Sequence, residues 1–318
     1  MKPRISVFAA ALAALANANG WTAAEQATDT SSAAGNSDVT ITAQRAALSP
    51  RVSAFVDQVT AFDPADPGQG LARWRESVCP LVTGLPRDEG EFMLGRLSEV
   101  AQAAGAPLAG EQCRPNLYIF VSGKTQELLR AMDKRNPTFT FGDASPVLVD
   151  EFTATPRAVR VWYHTVQKTP EGLPLLSMSI PELNHAQEEA SGARILNPGP
   201  VDRGFGTNAW AESSHLTLNA VWDISRVFVI VDQTRLKGVS RGQLADYVAM
   251  VGLAEVKPGA RLGDADTILT LFEAAPQAGR RGMSDWDRAF LKSLYASEAR
   301  SRLQRSQIAS NMVRVIVP

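Results

Sequence analysis

Histidine and cysteine, the residues that most often carry metal or nucleophilic chemistry, are scarce in this sequence. Its 318 residues include three histidines and two cysteines. An excess of one charge is also missing, since the formal net charge is -1 at pH 7. A nearly neutral chain argues against nucleic acid or an anionic membrane as a partner held by bulk electrostatics. No apolar run after the N-terminus reaches the roughly 20 residues of a membrane span, so we expect no transmembrane segment.

What is present is an ordinary globular composition. The chain is 45% hydrophobic and 20% charged, which suits a protein with a sizeable buried core. Its length allows one large domain or two small ones.

The N-terminus has the pattern of a secretory signal peptide. Lys2 and Arg4 precede a short apolar run over residues 5–15, and Ala16-Asn17-Ala18 has the small-x-small form of a cleavage site. Residues 1–18 are therefore predicted to be a signal peptide, and the protein to be exported to the periplasm or the extracellular space. The apolar run is too short to cross a bilayer.

A linker is predicted over residues 19–46, because its small polar residues cannot bury enough apolar surface to offset the entropy of ordering. Within it, the alternation in Asp38 to Arg45 predicts a short strand. The same letters resemble the energy-coupling box of outer-membrane TonB-dependent receptors, which implies a contact with TonB. The other interpretation is a strand without that partner. The folded domain is predicted to span residues 47–318.

Cys79 and Cys113 are predicted to form a disulfide, because an exported chain meets an oxidising environment. In the chain-entropy model, the closure of this loop would stabilise the folded protein by about 3 to 4 kcal/mol. Two buried free thiols are the alternative. Neither cysteine has a histidine near it in sequence, which disfavours a thiol nucleophile.

Hydrophobic periodicity predicts a chain of mixed helices and strands. Apolar residues at helical spacing predict a helix around Val52 to Val59, and strands are indicated by short apolar or alternating runs. The predicted helices beyond the first span 87–104, 125–134, 240–253, 283–295 and 299–311, and the clearest predicted strands span 116–121, 157–167 and 226–232.

The other domain elements are organised around the helix Ser240 to Leu253, which follows the strand at 226–232. Its apolar residues recur at i, i+3, i+4 and i+7, which is typical of one helix face. Beside that face Ala245, Ala249 and Gly252 form a stripe of small side chains.

This segment resembles the active-site helix of zincin-type metallopeptidases, and more closely an uncharacterised bacterial family of secreted zincin-like proteins. The family pattern is His-Glu-x-x-His-x-x-Gly-Leu after a strand. Aligned on Gly252-Leu253, the two histidine positions hold Ala245 and Ala249, and the glutamate position holds Asp246. The resemblance extends over roughly Ile224 to Tyr295, and it implies a single zincin-like α+β domain with a mixed sheet and a central former active-site helix.

The same alignment predicts that these positions form no zinc site, because an alanine cannot bind zinc. We expect no metal, no cofactor and no catalytic residue at these positions, and hence a non-catalytic exported protein that binds a peptide or protein partner. The alternative is an active hydrolase with a displaced site. Its candidates are His185, which has Glu182 and Glu189 at helical spacing, and a triad assembled from distant parts of the chain.

Three expectations concern side chains on this helix and on the strand before it. Ala245, Ala249 and Gly252 are predicted to form a close-packed seam that fills the former metal position, the alternative being an open cleft lined by alanines. Asp246 is predicted to be a solvated or cap-satisfying group near the helix start. Asp223 and Asp232 are predicted to be metal-free polar anchors of the preceding strand.

Overall fold

The computed structural model describes residues 31–61, 70–169, 172, 221–257, 260, 262, 265–273, 282–298 and 303–318. The chain divides into a unit over Met1–Thr40 and a unit over Ile41–Pro318, and the contacts below lie within the second. The signal peptide predicted at 1–18 lies outside the described residues. Within them, no helix is both long and apolar enough to cross a membrane.

The first helix, α1, spans Ser31–Val59. Its last two turns bury Val52, Phe55, Val56 and Val59, as their helical spacing predicts. The strand predicted over Asp38 to Arg45 is wrong, because those residues belong to α1. The alternation there is not matched by burial, since Val39 is 70% exposed. Residues 31–46 of the predicted linker are thus helical, and the contact with TonB stays a prediction.

A four-stranded mixed sheet forms the centre of the domain, with strand order β1-β2-β4-β3. β1, β2 and β4 run parallel, and β3 pairs with β4 in the antiparallel sense. The predicted α+β class with a mixed sheet is confirmed. The strands are β1 (Pro80–Thr83), β2 (Leu117–Ser122), β3 (Val159–Lys168) and β4 (Val221–Asp232).

Helices cover both faces of this sheet. α2 has the bounds that its periodicity and the following Gly105 predict, and Gly105 closes it in the left-handed conformation with φ 79°. The helices after α1 are α2 (Arg87–Ala104), α3 (Thr125–Arg135), α4 (Pro137–Phe141), α5 (Pro146–Ala154), α6 (Arg241–Leu253), α7 (Asp285–Ala296) and α8 (Gln304–Ile316). Short 3-10 segments span Gln233–Arg235 and Ile268–Phe272.

The two faces of β4 pack into two different clusters, because successive side chains of a strand point to opposite sides. Val227, Val229 and Val231 belong to the main core with α1, α2, α6, α7 and α8. Phe228 and Ile230 join Leu129 in a smaller, aromatic-rich cluster with α3, α4 and α5. A strand covered on both faces needs the near-continuous apolar run found here.

α6 is buried along most of its length, since every residue from Leu244 to Leu253 except Tyr247 is buried. A capping box of Ser240 and Gln243 begins the helix. The spacing of Ser284 and Asp287, three residues apart, predicts the same device at the start of α7, and the structure confirms it. The order of strand, turn and helix from β4 to α6 is the one that the sequence predicts.

The Cys79–Cys113 disulfide is confirmed, with 5.9 Å between the Cα atoms and 34 residues of sequence separation. It joins the residue before β1 to the loop before β2. The backbone of Asn116 and the backbone of Leu117 both donate to the Cys79 carbonyl, which aligns the starts of the two strands. The bond therefore reinforces the β1-β2 edge of the sheet.

Candidate functional site

The small-residue stripe of α6 lies inside the core. Ala245 and Ala249 have no exposed surface, and an added Cβ on Gly252 would lie 3.1 Å from Cδ2 of Leu117. That separation is closer than ordinary van der Waals contact, so the Gly252 site leaves almost no room for a side chain. At Gly252 the stripe packs against β2.

Asp246, aligned with the catalytic glutamate of the family pattern, is buried rather than solvated. Its Oδ1 lies 2.5 Å from Nε of Arg96 on α2, and its Oδ2 accepts a 2.7 Å hydrogen bond from the backbone N–H of Met283. Gly282 leaves space for this carboxylate, since a Cβ there would overlap Oδ2. The expectation of a solvated group is wrong. Asp246 joins α6, α2 and the loop before α7.

The two aspartates of β4 are polar anchors, as predicted. Asp223 is buried with Oδ1 2.9 Å from Nε of Arg75 and Oδ2 3.3 Å from Nζ of Lys168. At the other end of the strand, Asp232 accepts from the Thr234 N–H at 3.1 Å and from the Thr125 hydroxyl at 3.2 Å. Both carboxylates are occupied by protein groups.

His164 is a strand residue of β3 with a structural contact. Its Nε2 lies 2.8 Å from the carbonyl oxygen of Thr140, and burial lowers its pKa below the ordinary histidine value. His185 and His215, with the carboxylates around His185, lie outside the described residues. In the described part of the chain, no three or more His, Cys, Asp or Glu side chains are grouped so as to hold a metal ion.

A cavity of about 780 Å³ runs along β3. Residues 157–162 line it on the side of β3, and Tyr247 and Val251 of α6 also line it. On a helix with about 3.6 residues per turn, positions 247 and 251 lie opposite positions 245 and 249. The cavity and the alanine stripe therefore occupy opposite faces of α6.

β3 is an edge strand, because it follows β4 at the end of the sheet. The Asp232 N–H donates to the Ala158 carbonyl, so Ala158 points its backbone groups towards β4. Alternate residues of an antiparallel strand point theirs the other way, which directs the N–H and C=O of Val159 and Val161 outwards. No other described strand pairs with this edge.

Contacts with neighbouring residues hold several of the apolar lining residues in place. The Tyr247 ring meets Phe272 edge-on at 4.9 Å between centroids, and the Tyr163 hydroxyl donates to the Val251 carbonyl at 2.8 Å. Burial raises the pKa of Tyr247 to about 12, so the phenol stays neutral. Asp287 holds the 3-10 segment in place by accepting from the Ile268 N–H at 2.8 Å.

One end of the cavity is basic. Arg157, Arg160 and Arg235 line it together with Lys237. Arg160 is only 3% exposed; its Nε donates to the Thr155 carbonyl at 2.9 Å, and its buried Nη1 has no hydrogen-bond partner among the described residues. Burial lowers the pKa of Arg160, Asp232 opposes that shift, and the charges of Arg235 and Arg157 lower the pKa further.

Glu255, just after α6, should make stability depend on pH. Burial raises its pKa to about 7 from the ordinary 4.5. Below pH 4.5 the carboxyl is protonated in both the folded and the unfolded protein, so burial carries no charge penalty. The free energy of unfolding therefore falls as pH rises from 4.5 through 7, because the folded protein must finally hold a largely buried carboxylate.

We therefore expect Glu255→Gln to raise the free energy of unfolding at pH 8 by about 2 to 3 kcal/mol and to leave it unchanged at pH 4. Urea denaturation at both pH values measures the difference. Glu89→Gln, at an exposed position on α2, is the matched control and should change little at either pH. An equal effect of Glu255→Gln at pH 4 and pH 8 would contradict this assignment.

Sequence reasoning missed Arg160 and the cavity. Alternation in RAVRVWYHTVQ predicts the strand. The local sign of the basic end is Arg160 itself, a basic residue in a strand with no carboxylate next to it in sequence. Comparison of the chain with protein-family models, with curated proteins and with solved structures finds no match. The zincin-like family stays a prediction, and the function must be argued from the site.

Proposed function

We propose that this protein is an exported, non-catalytic, zincin-like module that binds an extended peptide segment along the outer edge of β3. The observation that carries the proposal is the cavity lined by residues 157–162, where the edge strand β3 begins. An extended chain can add to such an edge through main-chain hydrogen bonds, while pockets beside the strand select its side chains.

The lining suits the apolar side chains of such a segment. Val161, Tyr247, Val251 and Phe272 line the cavity, and Leu148 of α5 adds to it while remaining 54% exposed. Its neighbour Val147 is 74% exposed. Adjacent exposed apolar residues beside a concave apolar surface are typical of a place where another chain docks.

Hydrolysis is the second interpretation, and the described lining gives it little support. It contains no histidine, cysteine or serine among its residues, and Tyr247 keeps its proton at neutral pH. Asp246 is engaged by Arg96 on another side of α6. A binding role needs only the edge and the lining that are present.

The binding test uses N-terminally fluorescein-labelled octapeptides in which valine, leucine or phenylalanine alternates with threonine. We expect saturable binding by fluorescence anisotropy, weakened about tenfold or more by Val161→Pro, because proline removes one outward N–H from the edge. Val161→Thr keeps that N–H and is the matched control. Binding that survives Val161→Pro, or no binding by any peptide, would overturn the proposal.

Mass spectrometry of the same peptides after incubation separates binding from hydrolysis. Intact peptides support a binding module. Cleavage that is lost on denaturing the protein would favour the hydrolase.

Export is tested independently of binding. The basic start, apolar run and Ala16-Asn17-Ala18 site predict that the exported protein begins at Asn19. The disulfide agrees with an oxidising compartment. N-terminal mass spectrometry of the protein from periplasm or medium measures the cleavage point, and an exported chain that retains Met1 would refute it.

A further inference from the structure

We infer that the basic end of the cavity binds a carboxylate of the peptide segment, an inference that rests on the peptide-binding function proposed above. The guanidinium groups of Arg157, Arg160 and Arg235 together supply the positive charge. The carboxylate comes from the C-terminus of the peptide or from an acidic side chain near that end.

The burial of the Arg160 guanidinium costs free energy. It occupies a strand position paired with Ile230, where the neighbouring sheet residues are apolar, and it is 3% exposed. A buried charge is normally paired, because the loss of hydration otherwise goes uncompensated. No described carboxylate forms an ion pair with Arg160, and its Nη1 has no hydrogen-bond partner within the described part of the chain. The Thr155 carbonyl satisfies only its Nε.

The other cations at this end add to the deficit of negative charge. Arg157 and Arg235 both lower the pKa of Arg160, so they are close enough to repel its charge. Asp232 is the carboxylate that opposes this, and it already accepts from Thr234 and Thr125 and lies 3.5 Å from Arg235. Glu151 and Glu273 line the cavity as exposed side chains without an ion pair to these arginines in the described structure.

The shape of the cavity selects a carboxylate on a larger apolar body. Guanidinium groups bind carboxylate and phosphate oxygens through paired N–H donors. The lining also has an apolar part, which includes Val251 and Phe272, and it extends along the edge of β3 from Val159 to Trp162. A free inorganic anion would leave that apolar part unfilled, whereas an extended peptide with one acidic end matches both parts.

The test compares three labelled octapeptides of alternating valine and threonine. One ends in a free carboxylate, the second in an amide, and the third in an amidated aspartate. We expect a carboxylate-bearing peptide to bind about tenfold more tightly than the neutral amide. Preference for the free C-terminus or for the aspartate identifies the source of the carboxylate.

The variants assign the preference to this end of the cavity. Arg160→Gln and Arg235→Gln should each reduce the advantage of the carboxylate while retaining binding of the neutral amide. Arg130→Gln, at an exposed position of α3, is the matched control and should leave the advantage intact. If Arg160→Gln does not fold, Arg235→Gln decides, because the Arg235 side chain is 49% exposed.

The outcomes separate this inference from the proposed function. Equal binding of acid and amide by the unaltered protein overturns the carboxylate site and leaves peptide binding standing. A preference that persists in both arginine variants also overturns it. If no peptide binds, the proposed function fails and the inference fails with it.

Discussion

Asp246→Ala is expected to lower the free energy of unfolding by about 3 kcal/mol, because it leaves the Arg96 guanidinium without its main partner. The carboxylate side chain is 6% exposed and also accepts from the Met283 N–H, so its loss orphans a buried backbone donor as well. Arg96 is 30% exposed, which places the effect at the lower end of the range for buried pairs. Urea denaturation measures the change.

A double-mutant cycle separates the ion pair from the backbone contact. Arg96→Met removes the charge and keeps much of the apolar stem, and the double variant with Asp246→Ala should be less unstable than the sum of the two single changes. Arg87→Met, at the 92% exposed end of α2, is the control and should change stability by under about 0.5 kcal/mol. Additive single effects would show that Asp246 and Arg96 do not act as a pair.

The double variant Ala245→His with Ala249→His is expected to unfold or to lose about 2 to 6 kcal/mol, because each change inserts a ring into a filled core at about 1 to 3 kcal/mol. Both alanines have no exposed surface, and a methyl group added to Gly252 on the same face would lie only 3.1 Å from Cδ2 of Leu117. Added zinc should not raise the melting temperature, since the close-packed seam leaves no space in which two histidines could bind the ion. Thermal unfolding with and without zinc measures both effects.

A matched pair of histidines on a solvated helix face is the control. Arg87→His with Glu91→His places two imidazoles at i and i+4 on α2, where the side chains are 92% and 61% exposed. That variant should stay folded and gain melting temperature with zinc by mass action. A stable Ala245→His, Ala249→His variant with the same zinc response would show an open cleft rather than a seam.

The helices and the principal strands could be predicted from sequence wherever a local pattern has one physical meaning. The apolar spacing before Gly105 determines α2, and the Ser284 and Asp287 pair determines the start of α7. Such signals work because a helix turn or a capping box involves residues three or four positions apart. The disulfide followed from the count of two cysteines and the export signal.

The same kind of reasoning fails where short segments depend on their neighbours. β1 has four residues and becomes a strand through its parallel pairing with β2, about 37 positions later in the chain. Asp38 to Arg45 alternates like a strand, yet it lies within α1. In both cases the local pattern is too short to outweigh the elements that surround it.

The sequence by itself therefore determined the mixed α+β composition and the small-residue stripe of α6. Tertiary structure alone decided that Asp246 meets Arg96, 150 residues away, and that the cavity lies on the opposite face of α6. It also decided that Arg160 is buried beside Arg235. These contacts join residues far apart in the chain, and only the packing of the sheet against its helices brings them together.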